Sequence, residues 1–320
     1  EIASNLSLFP HHLRVLLGTM GRGMERAGVY VGPLSFVEIS VKLPLGTYLA
    51  IMFAGLVRRM TCRLRPYEKV KGAADLAAAR SLEVLAGAFR SGGDKDAAVA
   101  RAVSFFEGVE HGDGFRPKVA VFGDLYVRDN EAMNQDLFRV IEENGGEVVP
   151  MPYHHYLKMI AGPYLRKWFR EGKYFEAFTS EAFLLTLLSL EKKYYRRFRR
   201  ILEVEEPVFD RPPAELLSEY HVRLENTGES MDNLLKVHYL LRDHPDLALF
   251  VQASPAFCCP SLVTEAMAGE IERRTGVPVV SVTYDGTGGY KNEAIVPYLK
   301  FPRRRPAQAA GAADVRRGPR

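Results

Sequence analysis

The sequence predicts an α/β fold: a mainly parallel sheet over residues 118–300, with a helical amino-terminal region and a helical insert. One observation is a set of short apolar runs separated by segments of helical periodicity, as in βαβ units. The runs lie near 118–122, 147–150, 247–251 and 277–282. A second is that the last run is β-branched and almost uninterrupted, which is typical of a strand buried on both faces of a parallel sheet. We therefore expect the four carboxyl ends to meet at one edge, where open α/β sheets bind ligands.

The domain organisation follows from changes in composition along the chain. Residues 1–115 are predicted to be mainly helical, since their apolar residues recur at helical spacing. A polar, glycine-rich stretch at 112–117 precedes the first strand, so we place an α/β domain over 116–300 with its helical insert at about 153–245. The basic tail, 301–320, has almost no large apolar residues and is predicted to be disordered and to contribute nothing to stability.

Composition excludes several classes of protein. The chain has 320 residues, of which 47% are hydrophobic, enough for one large core or two ordinary ones. Its net charge of +4 comes from the tail, which carries +5, so the body is close to neutral and we do not expect a nucleic-acid partner. No apolar run reaches the ~20 residues of a membrane span, and the best candidate, 43–57, is broken by Pro44, Gly46 and Gly55. We expect no membrane association.

Cysteine usage and the first residue bear on the compartment. Three cysteines are too few for a disulfide framework, which favours a reducing compartment, with the cytoplasm as the default. The chain opens at Glu1 without a basic-then-apolar signal pattern, so we do not expect secretion. We expect it to be the carboxyl part of a longer protein.

The segment 153–203 interleaves aromatic residues with arginine and lysine. Such a pattern is found on surfaces that bind single-stranded nucleic acid. We favour the alternative, in which aromatics spaced three and four apart pack onto a core and the cations face solvent. His154 and His155 are adjacent and so do not share a helical face as metal ligands four residues apart would. We interpret them as loop residues.

The stretch around Cys258 and Cys259 is the main candidate site. These cysteines follow the apolar run at 247–251 and precede Pro260 and a predicted helix over 261–274, so they belong to a loop at the carboxyl edge of the sheet. Two interpretations are open from the residues alone. Unpaired cysteines are usually buried core residues, and a helix start after a strand is also a place for a bound anion or metal thiolate. Cys62, on a predicted helix, is interpreted as a core residue.

Four further polar residues are candidates with two interpretations each. Asp285 follows the last strand, where an aspartate either orients a ligand or bonds the turn that comes next. Asp124 and Arg128 follow the first strand and have the same two interpretations. Glu265 is either a proton-transfer residue or a charge favoured near a helix start. Asp285 and Glu265 are our candidate catalytic residues.

Five phrases, taken in order, resemble one protein family. They are LRPYEKVKGAAD at 64–75, KVAVFGDLYVRDNEAMNQDL at 118–137, NGGEVVPMP at 144–152, FCCPSLVTEAM at 257–267 and PVVSVTYDGT at 278–287. Together they resemble the carboxyl-terminal part of the large proteins related to 2-hydroxyacyl-CoA dehydratase and its activator. The resemblance covers most of residues 40–300.

This resemblance implies a Rossmann-like subunit that holds a [4Fe–4S] cluster and passes single electrons supplied by an ATP-hydrolysing activator. The family has a motif of a cysteine, any one residue and a proline. In this chain the motif's cysteine corresponds to Cys258, and Cys259 is the residue between it and the proline. The resemblance therefore implies Cys258 as the first cluster ligand and Cys259 as a second. Such a cluster is held by three cysteines, whereas this chain adds only the distant Cys62. The remaining ligands lie upstream, or come from a partner, or this member has lost the cluster.

Three functions are compatible with these patterns. The first is an iron–sulfur protein that acts in ATP-driven low-potential electron transfer or in the dehydration of an acyl-CoA. The second is a non-catalytic scaffold or interaction domain that docks the activator ATPase. The third is a domain that binds CoA or a nucleotide without redox chemistry. No GxGxxG fingerprint follows the first strand, and nothing in the chain resembles the activator's phosphate-binding loops.

Overall fold

The computed structural model describes residues 9–29, 42–224 and 229–302. The chain divides into two units, Glu1–Gly46 and Thr47–Arg320. In the first unit, the described residues form helix α1 (Phe9–Met20), a 3-10 turn at Met24–Arg26 and the start of helix α2 (Lys42–Leu64). The second unit holds everything that follows. The tail beyond Pro302 lies outside the described residues, so its predicted disorder stays a prediction.

Between α1 and the sheet, the described residues form three more helices: α2, α3 (Ala73–Ser91) and α4 (Lys95–Glu107). Asp94 caps α4, because its side chain accepts hydrogen bonds from the backbone N–H groups of Asp96 and Ala97. Ser81 of α3 donates its hydroxyl hydrogen to Ala77 O and Ala102 O, which satisfies this buried group where α3 packs on α4. The middle of α2 is buried, with Met52, Phe53, Leu56 and Met60 in the core.

The sheet has four parallel strands, β1 (Lys118–Gly123), β2 (Glu147–Pro150), β3 (Leu247–Pro255) and β4 (Val279–Tyr284), in the order β2-β1-β3-β4. Val121 is in register with Pro150 on one side and with Val251 on the other. Ala253 is in register with Val282. The predicted parallel α/β sheet is confirmed.

Helices connect and cover these strands. β1 is followed by a 3-10 turn at Val127–Asp129 and by α5 (Leu137–Glu143). β2 is followed by four helices, α6 (Tyr153–Arg170), α7 (Tyr174–Leu202), α8 (Pro213–Ser218) and α9 (Glu229–Asp243). β3 is followed by α10 (Cys259–Ala266) and α11 (Ala268–Thr275), and β4 by a 3-10 turn at Lys291–Ile295 and α12 (Val296–Lys300). No helix in these described segments combines the length and the apolar character that a membrane crossing requires.

Both faces of the sheet are buried, which explains the near-continuous apolar strands. Because neighbouring side chains point to opposite faces, Ala120, Phe122 and Phe250 join one core cluster with Leu234 and Leu235 of α9. The other face carries a second cluster. Its members include Val119, Val121, Leu249 and Val251 of the strands, Ile141 of α5 and Leu299 of α12.

The strand order reverses between β1 and β3, since β2 follows β1 on one side and β4 follows β3 on the other. At that point the two strands approach closely. A Cβ on Gly123, whose φ is +114°, would lie 2.3 Å from Ala253 O, so only glycine fits there. The N–H of Asp124 donates to the same carbonyl at 2.9 Å. This is the position at which α/β sheets bind ligands.

One expectation for the helices is wrong, and another holds only in part. The helix predicted over 261–274 is two helices, α10 and α11, separated at Met267. The prediction that the aromatics of 153–203 pack onto a core holds for Tyr194, Tyr195 and Phe198 but fails for others. The most exposed of these are Phe169, Tyr174, Phe175 and Phe178, which lie around the connection between α6 and α7. Helical spacing alone does not tell which end of a long helical pair is covered.

Candidate functional site

The cysteine pair lies where the sequence places it, at the carboxyl end of β3 beside the reversal in strand order. β3 ends at Pro255, and Cys258 is the N-cap residue of α10, with φ −73° and ψ 104°. The Cys258 side chain makes no capping hydrogen bond and is partly buried, while Cys259, the first helical residue, is exposed. Pro260 is the second residue of the helix and not the first. The helix amino terminus therefore faces the cysteine loop and favours an anion there.

An exposed apolar surface surrounds the cysteines. Phe257, directly before them, is 86% exposed and has a positive φ of +62°, a conformation that bulky residues rarely adopt. Leu262 and Val263 are also exposed, and they lie three and four residues after Cys259, on its side of α10. We call Phe257, Leu262 and Val263 the Phe257 patch. Strained backbone and exposed apolar side chains at one loop are features of binding sites.

Buried side-chain hydrogen bonds hold α10 under this loop. Gln252 of β3 donates from Nε2 to Ser261 O at 2.8 Å. Asn233 of α9 donates from Nδ2 to Thr264 Oγ1 at 3.2 Å. Both bonds are buried, so each helps to fix the start of the helix relative to the sheet.

A group of buried charges lies close to the carboxyl end of β1. Arg128, 1% exposed, donates from NH2 to Met151 O at 3.0 Å. Asp232 and Lys236 of α9 form a fully buried ion pair. Burial raises the pKa of Asp232, and the charges of Lys236 and Arg128 act in the opposite direction. A buried ion pair is costly to desolvate unless its two charges compensate each other well.

Sequence reasoning missed Gln252, Asn233, Asp232 and Lys236. The sequence does contain a sign that these residues are buried: Gln252 interrupts an apolar strand, and the other three interrupt the apolar pattern of α9. A polar residue in such a place is often a partner in a buried network.

Asp124 and Asp285 stabilise the turns that follow their strands. Asp124 Oδ1 accepts hydrogen bonds from the N–H groups of Tyr126 and Val127 and so stabilises the turn after β1. Asp285 Oδ1 accepts from the N–H and the hydroxyl of Thr287, and its pKa is lowered to about 2, mainly by these bonds. Asp285 is thus ionised at neutral pH, and the turn-bonding interpretation is the one that the structure supports. Glu265 is exposed on α10.

Cys62 does not join the pair. It lies in the core between α2 and the sheet and is 1% exposed. Burial, followed by the charge of Glu142, raises the pKa of its thiol to about 12, which is unfavourable for a thiolate ligand. Among the described residues, Cys258 and Cys259 belong to no group of three potential metal ligands. This part of the chain therefore supplies two thiols and does not by itself complete a four-iron site.

An apolar cleft of about 590 Å³ opens beside the carboxyl ends of β1 and β2. Ile51 and Ala54 of α2 line one side, and Leu125 and Met151 line the other. Arg58 and Asp129 form an ion pair of 3.3 Å at its wall. The cleft is large enough for an acyl group and lies at the same sheet edge as the cysteines.

The interpretation of His154 and His155 as loop residues is wrong. Both lie in the first turn of α6 and are buried, at 0% and 1% exposure. Their rings and the carboxylate of Glu191 in α7 place one potential ligand atom each within 4.8 Å of the others. Adjacent side chains on a helix point in different directions. His154 and His155 nevertheless form one group, because Glu191 of a second helix lies close to both rings.

Comparisons with protein-family models, with curated proteins and with solved structures found no match for this chain.

Proposed function

We propose that this chain is an iron–sulfur protein of the 2-hydroxyacyl-CoA dehydratase type and that Cys258 and Cys259 supply thiolates to a [4Fe–4S] cluster. The observation that carries the proposal is the placement of Cys258 at a helix amino terminus beside the reversal in strand order. Helix N–H groups stabilise the negative charge of a thiolate-ligated cluster and tune its potential. The family resemblance of the same residues points in the same direction.

The remaining cluster ligands come from outside the described residues, from another segment or from a partner. The Phe257 patch supports this, because exposed apolar side chains beside the cysteines are suited to being covered by protein. An ATP-hydrolysing activator is the proposed source of electrons, and the reduced thiols that the cluster requires favour the cytoplasm.

The apolar cleft is the proposed position of the acyl group of an acyl-CoA thioester. A bound cluster would supply the single electron by which a dehydratase of this type removes water from a 2-hydroxyacyl-CoA. This chain's own residues would exclude water from the acyl group and orient it at the sheet edge. Asp285 is not suited to proton donation at neutral pH, because its low pKa keeps it ionised. Glu265 stays a candidate for proton transfer.

Anaerobic purification of the full-length protein with its activator, followed by iron and sulfide analysis, tests this proposal. We expect bound iron and a brown absorbance that Cys258→Ala abolishes or sharply reduces. Cys62→Ala is the matched control, since it removes a buried thiol at a cost of about 1 kcal/mol and should leave the iron content unchanged. A full-length protein that binds no iron would contradict the redox function.

The Phe257 patch also favours a second candidate, a scaffold domain that docks the activator without redox chemistry. In that case the protein would lack iron and still bind the activator, and Leu262→Lys would weaken that binding because it places a charge in the apolar interface. If the protein contains no iron, does not bind the activator and binds CoA, it is instead a CoA-binding domain.

A further inference from the structure

A second group of residues, outside the cysteine site, has the composition of a metal centre. His154 and His155 of α6 and Glu191 of α7 are almost fully buried, at 0%, 1% and 0% exposure. None of the four ring nitrogens of the two histidines makes a hydrogen bond. A buried polar group without a partner is destabilising, so such a group calls for an explanation.

The spacing of the three side chains suits a small cation. One potential ligand atom from each lies within 4.8 Å of the other two. His154 Nε2 is 3.4 Å from Glu191 Oε1, in a geometry that is not a hydrogen bond. Ligands held about 2.1 Å from a tetrahedral zinc ion are about 3.4 Å apart, so this pair already has the separation of two zinc ligands.

A neutral imidazole has one nitrogen lone pair with which it binds a metal ion, while its other nitrogen carries the proton. His154 and His155 can each present that lone pair, because none of their ring nitrogens is engaged in a hydrogen bond.

Other side chains hold the Glu191 carboxylate in place, as outer partners do in metal sites. Tyr48 of α2 donates its hydroxyl hydrogen to Oε2 at 3.0 Å, and Lys158 Nζ lies 2.8 Å from Oε1. Lys158 also donates to Glu206 Oε1 at 2.7 Å. It therefore keeps a partner when a cation binds the second lone pair of Glu191 Oε1. Glu206 is itself part of this group, since burial, followed by a hydrogen bond to Glu191, raises its pKa to about 7.

We propose that His154, His155 and Glu191 bind a divalent transition-metal ion and that Zn²⁺ is the ion they take. Two imidazoles and one carboxylate are a known donor set for zinc. Three protein ligands leave the fourth tetrahedral position to a water molecule. The ion joins the first turn of α6 to α7 and, through the hydrogen bond of Tyr48 to Glu191, to α2. The neighbouring Tyr153 lines the apolar cleft, so the ion also fixes one wall of that cleft. This proposal is independent of the cluster.

The test uses the full chain with Cys258→Ser and Cys259→Ser, so that the exposed thiols cannot bind zinc. After removal of weakly bound metal, we expect one zinc ion per chain. X-ray absorption at the zinc edge should show two imidazole ligands, oxygen ligands and no sulfur. Stripping the ion with a strong chelator should lower the thermal midpoint, and Zn²⁺ should restore it.

His154→Gln and Glu191→Gln in the same background should each lose the bound zinc and its effect on the thermal midpoint. His238→Gln is the matched control, because His238 is a partly buried histidine on α9 outside the group and its replacement should keep both. A parent protein without zinc, a zinc ion with sulfur ligands, or folded His154→Gln protein with a full zinc content would each overturn the proposal. If the variants fail to fold, the metal content and the absorption spectrum of the parent decide the question alone.

Discussion

The three cysteines occupy three environments. Cys62 is buried in the core, Cys258 is partly buried at a helix start, and Cys259 is exposed. Only thiolates react rapidly with alkylating reagents, and only where the reagent can reach them. Exposure and pKa therefore separate these residues chemically.

We expect iodoacetamide to modify Cys258 and Cys259 in the native protein at pH 8 and to leave Cys62 unmodified until the protein is denatured. The reason is that burial raises the pKa of the Cys62 thiol to about 12 and also excludes the reagent. Mass spectrometry of peptides from native and denatured samples measures this. Rapid native modification of Cys62 would show that the contact between α2 and the sheet opens readily.

At this scale the sequence predicted where the cysteines lie but not the buried residues around them. Cys258 could be placed because an apolar strand before it and a proline after it define a strand–loop–helix unit. The convergence of His154 with Glu191 could not be predicted, since it depends on how α6 packs against α7. The burial of Arg128 likewise depends on the carbonyl of Met151, which belongs to a different strand connection.

The backbones of β1 and β3 approach each other closely at Gly123 and Ala253. Gly123 and Ala253 are in register, and the N–H of Asp124 extends the pairing by one hydrogen bond. The cysteine loop begins at the end of β3, so the position of that loop depends on this contact.

Gly123→Ala should destabilise the protein by about 3 kcal/mol, because the new Cβ collides with Ala253 O and the residue keeps a positive φ. Urea denaturation measures the change in the free energy of unfolding. Gly145→Ala is the matched control: Gly145 also has a positive φ, +92°, but no atom lies within 4 Å of its would-be Cβ. The control substitution should lower the free energy of unfolding by only about 1 kcal/mol. Equal effects of the two substitutions would contradict the close approach.

The strand pattern was the most predictable feature of the elements, because strands buried on both faces form continuous apolar runs. The exposure of Phe169, Phe175 and Phe178 could not be predicted. An apolar stripe on a helix has the same sequence pattern whether it is packed against another element or faces solvent. That exposed end of the α6–α7 pair is a second surface on which a partner could be sought by crosslinking.

For the molecule as a whole, buried neutral histidines make stability depend on pH. Burial, followed by the charges of Arg59 and Lys118, lowers the pKa of His244 to about 4. In the unfolded chain the same ring takes up a proton near pH 6.5. Between these values the unfolded state binds more protons, so the free energy of unfolding rises with pH across this window and falls on acidification.

We expect the urea midpoint of the protein to fall between pH 7.5 and pH 5, with His244 contributing about 2 kcal/mol of that loss. The variant His244→Gln cannot take up this proton, so its midpoint should fall less over the same range. His221→Asn, at an exposed position, is the control and should behave as the parent does. Identical pH profiles for the parent and His244→Gln would contradict the prediction.

The strand order has a consequence for how the chain folds during synthesis. β1 pairs with β3, although β2 and the helices α5 to α9 lie between them in the sequence. The centre of the sheet therefore cannot form until residue 255 has left the ribosome, whereas α2 to α4 are complete much earlier. Contacts between residues far apart in sequence form slowly and leave strand edges open in the meantime. Until β3 is available, any pairing of β1 with β2 leaves the other edge of β1 without its partner strand.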